Sequence, residues 1–167
     1  MLNILVLCTG NSARSILAEA LLNARGKGRI RAYSAGSSPT GSPNPLALAT
    51  LASNDLPADG YRSKSWDEFA RTDAPELDAV ITVCDSAAAE VCPVWPGAPV
   101  RAHWGLPDPA GIDDFDAARQ AFADTFRALD ARILALLSAL SGDNRIALQT
   151  AFDQIKLQDI QPHDHDI

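Results

Sequence analysis

Cys8 and Arg14 stand in a C-x5-R arrangement within Cys8-Thr9-Gly10-Asn11-Ser12-Ala13-Arg14-Ser15. Those residue types suit a nucleophile acting on a tetrahedral oxyanion. A thiolate attacks, and a guanidinium grips two oxygens in a fixed fork. The apolar run Leu2–Leu7 stops at this segment, and an Ala- and Leu-rich run starts at Ser15. The segment is therefore expected to join a strand to a helix. In such a turn, successive backbone N–H groups and the positive end of the helix favour an anion. The same field is expected to lower the pKa of Cys8. Gly10 permits the tight turn, and the Ser15 hydroxyl can donate to the thiolate. The spacing alone also fits a buried cysteine followed by an exposed arginine. The strand before, the helix after and the Gly, Asn and Ser between them favour the cradle.

Three further residues could take part in such chemistry. Asp108 precedes Pro109 in a stretch shaped by Gly105, Pro107 and Gly111. A carboxylic acid there could protonate a departing oxygen, although an aspartate before a turn proline is common. Cys84 follows the apolar run Leu77–Val83, and Cys92 lies beside Pro93. Read alone, these two are a core thiol and a loop thiol. The odd total of three cysteines speaks against a secreted disulfide framework. Cysteines and histidines are also too few and too poorly placed for a zinc site, so no metal is expected.

The elements that must position these residues follow from patterning. Leu2–Leu7, Ile30–Ser34, Leu77–Val83 and Pro99–Ala102 read as buried strands. Helices are expected from Ser15 to about Arg25, and from the Asn44 cap and Pro45 through Ser53. A long helix is expected from the Asp113–Asp116 region, with Phe115, Phe122, Phe126, Leu129, Ile133, Leu136 and Leu140 as its core stripe. A shorter one should run from about Arg145 to Leu157, with Ile146, Phe152 and Ile155 on one face. Alternating strands and helices imply an α/β fold, a four-stranded parallel sheet in a three-layer domain. Its functional crevice should lie beyond the carboxyl ends of the strands, where Cys8 and Cys84 both fall. Residues 1–157 are expected to form one domain and 158–167 a flexible tail. The His163-Asp164-His165-Asp166 run reads as solvated chain rather than a metal site.

CTGNSARS resembles the signature loop of the low-molecular-weight phosphatase superfamily. Ser34–Leu48, Arg62–Phe69, Val80–Gly97 and His103–Gly111 resemble its arsenate reductase branch, and Arg145–Ile155 the closing helix of some members. The resemblance implies the low-molecular-weight phosphatase-like fold. It also implies an oxyanion site made of Thr9, Gly10, Asn11, Ser12, Ala13, Arg14 and Ser15. The implied reaction reduces arsenate to arsenite by a three-cysteine relay. Cys8 attacks arsenate while Asp108 protonates the leaving oxygen, Cys84 attacks Cys8, and Cys92 then attacks Cys84. No cofactor is required. Phosphate or sulfate should compete for the cradle, and thioredoxin or glutathione with glutaredoxin should regenerate the thiols. Some such reductases hold a potassium ion near residues matching Asn11, Glu19 and Ser34. Here Lys64 stands where the completing aspartate would be, and its ammonium would take the cation's place. An ordinary solvated lysine is the alternative.

The net charge of −7 argues against nucleic acid or an anionic membrane surface as partner. No apolar stretch reaches spanning length, and Met1–Leu7 lacks the features of a signal segment; the cytoplasm is the expected location. The main alternative is a low-molecular-weight tyrosine phosphatase hydrolysing phosphomonoesters. Against it, Ala110-Gly111 follow Asp108-Pro109 where such phosphatases usually carry a tyrosine. A non-enzymatic oxyanion or redox sensor would have no use for Asp108.

Overall fold

The computed structural model describes residues 1–89, 93 and 95–160. Four parallel strands, β1 (Leu2–Cys8), β2 (Ile30–Gly36), β3 (Ala79–Thr82) and β4 (Val100–His103), form one sheet in the order β2-β1-β3-β4. The order reverses between β1 and β3, and such a switch point opens a crevice at the carboxyl ends of the strands.

β1 is apolar throughout because both its faces are covered. Leu2, Ile4 and Val6 face a core shared with helices α1 (Arg14–Arg25), α2 (Pro45–Ser53), α4 (Phe115–Ala139) and α5 (Arg145–Ile160). Leu5 and Leu7 face a thinner layer, built on Phe69 of the 3-10 turn Trp66–Ala70, Leu77 and Trp95. Trp66 flanks this layer edge-on to the buried Trp95. The short helix α3 (Asp85–Ala89) follows β3 directly.

Local chemistry sets several boundaries. The Asn44 side chain caps α2 by accepting from Leu46 N–H at 2.9 Å, with Pro45 at the first helical position. α4 starts where Asp114 accepts from Ala117 N–H at 2.8 Å.

Two core assignments from patterning are corrected. Phe115 is 63% exposed, because burial along α4 starts only at Ala118. Ile146 is 82% exposed, whereas Leu148, Ala151, Phe152 and Ile155 are buried. At about 100° per residue Ile146 lies half a turn away from Ile155, so the two cannot share a face. Among the described residues no helix is long and apolar enough to cross a membrane. The expected tail motif His163–Asp166 lies outside the described residues.

Candidate active site

The loop after β1 is held open by its surroundings. Its carbonyls turn outward: Thr9 O accepts from Ser38 N, Gly10 O from Thr40 N and Ser12 O from Asn44 N, at 2.9–3.0 Å. Ser63 Oγ adds a second bond to Gly10 O at 3.0 Å. With the carbonyls engaged outside, the loop's N–H groups are left for the inside of the turn, the arrangement that binds anions. Ala13, the N-cap of α1, supplies no side-chain cap, so the helix keeps its own N–H groups for the same purpose.

Asn11 fixes the loop's shape. Its φ of 45° is left-handed, a region asparagine tolerates better than most residues. Its amide donates to Ser15 Oγ and Ser34 Oγ, both at 2.9 Å, and its oxygen accepts from Lys64 N at 2.9 Å. Ser34 Oγ donates in turn to Glu19 Oε2 at 3.1 Å. Asn11, Ser15 and Ser34 are fully buried, so each bond replaces one that water would otherwise make. The Ser15 hydroxyl accepts from Asn11, which leaves its proton for the cradle.

Lys64 is also buried, and its ammonium donates to Arg62 O at 3.2 Å. Burial pushes Glu19 above and Lys64 below its ordinary pKa, and the opposite charge of each resists the other's shift. Buried Ser34 and Lys64 and half-buried Glu19 thus lie together behind Asn11.

Arg14 ties the cradle to the loop bearing Asp108. Its Nη1 donates to Leu106 O at 2.7 Å, and its Nη2 lies 3.9 Å from Asp108 Oδ1. Arg14 Nε is buried and has no hydrogen-bond partner among the described residues. A buried, uncommitted guanidinium N–H in an anion cradle fits an oxyanion ligand, since leaving it unmade is costly. Asp108 Oδ1 accepts from Ala110 N at 3.0 Å, starting the 3-10 turn Pro109–Gly111 and holding the half-exposed carboxyl near Arg14.

The second sulfur arrives from β3. Val83 N donates to Leu7 O at 3.0 Å, which sets the two strand ends side by side. Cys84 Sγ accepts from Ala87 N at 3.4 Å and lies 3.7 Å from Thr9 Oγ1. Cys8 and Cys84 are both buried, free thiols, and each acts on the other's pKa. Within this pair the expected lowering of Cys8 by the loop meets an opposing effect. The Cys8 thiol is raised, first by its hydrogen bond to Cys84 and then by burial, with Arg14 opposing. Cys84 is lowered to about 5, chiefly because Cys8 donates to it, with Ala87 N–H and Thr9 assisting. The field of the loop thus acts on two thiols that are coupled to each other.

Cys8, Thr9–Ser15, Cys84 and Asp108 therefore meet at one crevice, with Glu19, Ser34 and Lys64 behind it. Cys92 lies outside the described residues. Patterning did not single out Gly36, Ser63 or the Leu106 carbonyl, all of which hold the cradle or Arg14. Gly36 reads as an ordinary turn residue after a strand. Its role comes from a close approach: a Cβ there would lie 2.3 Å from Thr9 O and 2.8 Å from Cys8 O.

The family model described as low molecular weight phosphotyrosine protein phosphatase matches residues 3–146. An arsenate reductase of Bacillus cereus (strain G9842) is 40% identical over 105 residues, covering 63% of this chain and 75% of its own length. A solved arsenate reductase in the phosphate-binding state superposes with a TM-score of 0.69 at 25% identity, over 84% of this chain and all of its own. The thioredoxin-dependent arsenate reductase Cg_ArsC1′ of Corynebacterium glutamicum has the same fold, with a TM-score of 0.60 at 23% identity over 95% of this chain and 63% of its own. With its anion loop, its carboxylic acid and its second thiol arranged as described, the chain belongs to the low molecular weight phosphotyrosine protein phosphatase family.

Proposed function

We propose that the chain is an arsenate reductase whose Cys8, Cys84 and Cys92 relay two electrons from an external thiol. The observation that carries this reading is the pair of buried, free thiols, Cys8 and Cys84, on adjoining strand ends at the switch point of the sheet. The relationship to the Bacillus cereus arsenate reductase supports the choice of substrate.

Cys8 passes its proton to Cys84 and attacks arsenic as the thiolate. The Thr9–Ser15 loop and Arg14 hold the remaining oxygens, and Asp108 protonates the displaced oxygen, which leaves as water. Cys84 then loses its proton to solvent and attacks Cys8 Sγ. The sulfur–sulfur bond forms as the sulfur–arsenic bond breaks. The electron pair of that bond stays on arsenic, which departs as arsenite. The cysteines are oxidised by two electrons and arsenic(V) is reduced to arsenic(III). Cys92 next attacks Cys84, freeing Cys8 as a thiolate and leaving a Cys84–Cys92 disulfide for the reductant. Thioredoxin is one candidate reductant, as in the Corynebacterium glutamicum protein, and glutathione with glutaredoxin is the other. Phosphate and sulfate compete with arsenate for the cradle. A reducing compartment, the cytoplasm, suits thiols that must return to the reduced state, and neither nucleic acid nor a membrane is a partner.

Lys64 takes the place of a potassium ion behind Asn11, a reading supported by its burial and by the action of its charge on Glu19. Lys64, Glu19 and Ser34 serve the cradle by holding Asn11, and turnover is independent of potassium.

The competing reading is phosphomonoester hydrolysis, which needs only Cys8, Arg14 and Asp108. It is the weaker one, because it leaves the Cys84 contact without a role and finds only Ala110 and Gly111 after Pro109 to receive an aromatic ring. The deciding experiment measures arsenite formed from arsenate by the purified protein. Thioredoxin with its reductase is supplied in one arm, and glutathione with glutaredoxin in the other. Turnover in either arm is expected and names the donor. No arsenite in either, with brisk hydrolysis of an aryl phosphate, refutes the proposal.

A further inference from the structure

His103 spans a gap that the relay as described leaves unused. It ends β4, directly opposite Thr82 in the parallel register. Its Nδ1 lies 2.7 Å from Thr82 Oγ1 and its Nε2 2.8 Å from Asp85 Oδ1. Thr82 closes β3 and Asp85 opens α3, so the imidazole bridges both sides of the Val83–Cys84 turn.

We propose that His103 is a positioning residue for the redox step: by joining Thr82 to Asp85 it holds the turn that aims Cys84 Sγ at Cys8. This inference rests on the relay proposed above. The described residues of α3, Asp85–Ala89, follow the turn directly, so whatever holds Asp85 also holds the turn. The backbone up to Val83 is fixed by Val83 N to Leu7 O and by Leu106 N to Val83 O, at 3.0 and 3.1 Å. Beyond Val83, the bridge from His103 to Asp85 joins the Thr9 Oγ1–Cys84 Sγ contact at 3.7 Å in restraining, from distant parts of the chain, the turn carrying the sulfur.

Two features show that the bridge is built rather than incidental. Both ring nitrogens are engaged, so the imidazole cannot turn without breaking a bond at one end. Gly105 makes room for it. A Cβ at that position would lie 2.8 Å from His103 Nε2 and 2.9 Å from Asp85 Oδ1, inside the bridge itself. Neutral or protonated, the ring can donate from Nε2 to the Asp85 carboxylate, while Thr82 supplies a donor or an acceptor to Nδ1 as needed. Because neither nitrogen is left for the reacting sulfurs, His103 acts through Cys84 and not on the substrate.

The bridge also separates the two chemistries of the crevice. Attack by Cys8 depends on the loop, Arg14 and Asp108, whereas disulfide formation depends on where Cys84 sits. Losing the bridge should therefore slow the second and spare the first. A misplacement near 1 Å costs up to about 100-fold in an oriented reaction.

The test uses the full chain carrying Cys92→Ser, so that the Cys8–Cys84 disulfide accumulates. Reduced protein is mixed with arsenate and quenched in acid, its free thiols are alkylated, and the disulfide is followed by mass spectrometry. Aryl phosphate hydrolysis is measured in parallel. His103→Ala and Asp85→Ala should each slow disulfide formation by about 10- to 100-fold, with hydrolysis nearly unchanged. The double variant should be no slower than the worse single one, since both remove one bridge. Unchanged disulfide formation in both single variants overturns the inference. An equal loss in both reactions also overturns it, because His103 would then serve the crevice as a whole. Asp85 is almost wholly exposed, so its variant tests the bridge even if His103→Ala fails to fold. If the Cys92→Ser parent forms no Cys8–Cys84 disulfide with arsenate, the relay itself fails and this inference falls with it.

Discussion

Replacing Gly36 with alanine probes how tightly the sheet supports the cradle. Gly36 pairs with Cys8 in the β1–β2 register and donates its N–H to Lys64 O at 2.9 Å, so its own backbone has little room to retreat. The added Cβ would sit 2.3 Å from Thr9 O, 2.8 Å from Cys8 O and 3.0 Å from Asn11 N. Ordinary carbon contacts lie near 3.5 Å, so the loop must shift by roughly 1 Å at Thr9. Overpacking of this kind costs about 1–3 kcal/mol of stability. A shift of about 1 Å at the reacting groups costs up to about 100-fold in rate. Both arsenate reduction and aryl phosphate hydrolysis use the loop, so both should fall together, each measured per folded molecule. Urea denaturation reports the stability loss. Gly142→Ala is the control, because its Cβ would meet Asn144 Nδ2 at 3.4 Å and Ala147 Cβ at 3.9 Å, close to ordinary contact. A folded Gly36→Ala protein with the turnover of the unsubstituted chain would refute the claim that this approach shapes the cradle.

The thiol pair and the buried lysine give two more tests. Thiolate absorbance of the reduced protein should titrate near pH 5 from Cys84, and Cys8→Ala should move that step up toward the ordinary 9.0 by removing its largest cause. Because the folded Cys84 loses its proton below the unfolded value, its contribution to stability is full above pH 9 and is lost as the pH falls through about 5; a step that stays put in Cys8→Ala contradicts the coupling of the two thiols. Lys64→Ala removes a buried cation whose charge acts on Glu19 and should lower stability in urea denaturation, while turnover of the unsubstituted chain is the same in potassium and sodium salts. A clear potassium requirement, or an unaltered stability in Lys64→Ala, would contradict the role given to that ammonium.

A cradle of this kind suits two reactions, and a second sulfur is what separates them. A phosphatase needs water to clear its thiol adduct. A reductase needs a second thiol near the nucleophile, and the pairing of β1 with β3 sets the chain leading to Cys84 beside the strand that ends in Cys8.

The cradle was legible in the sequence because its parts are local. Cys8 to Ser15 lie within one strand–turn–helix passage, where residue type and spacing dictate conformation, and Asn44 with Pro45 marks the start of α2 for the same reason. The four strands were legible because runs buried on both faces are continuously apolar. The exposed Phe115 and Ile146 were misread because patterning locates apolar residues but not where the opposing surface ends. Tertiary structure alone decided three matters: that the two thiols are coupled, that Lys64 is buried, and why residue 36 must lack a side chain. A pKa depends on burial and on neighbours through space. Cys8 and Cys84, or Lys64 and Glu19, become neighbours only when distant strands and loops close on one another. Gly36 meets Thr9 and Cys8 for the same reason, so the sequence named the chemistry of the site and the packing determined its protons and its shape.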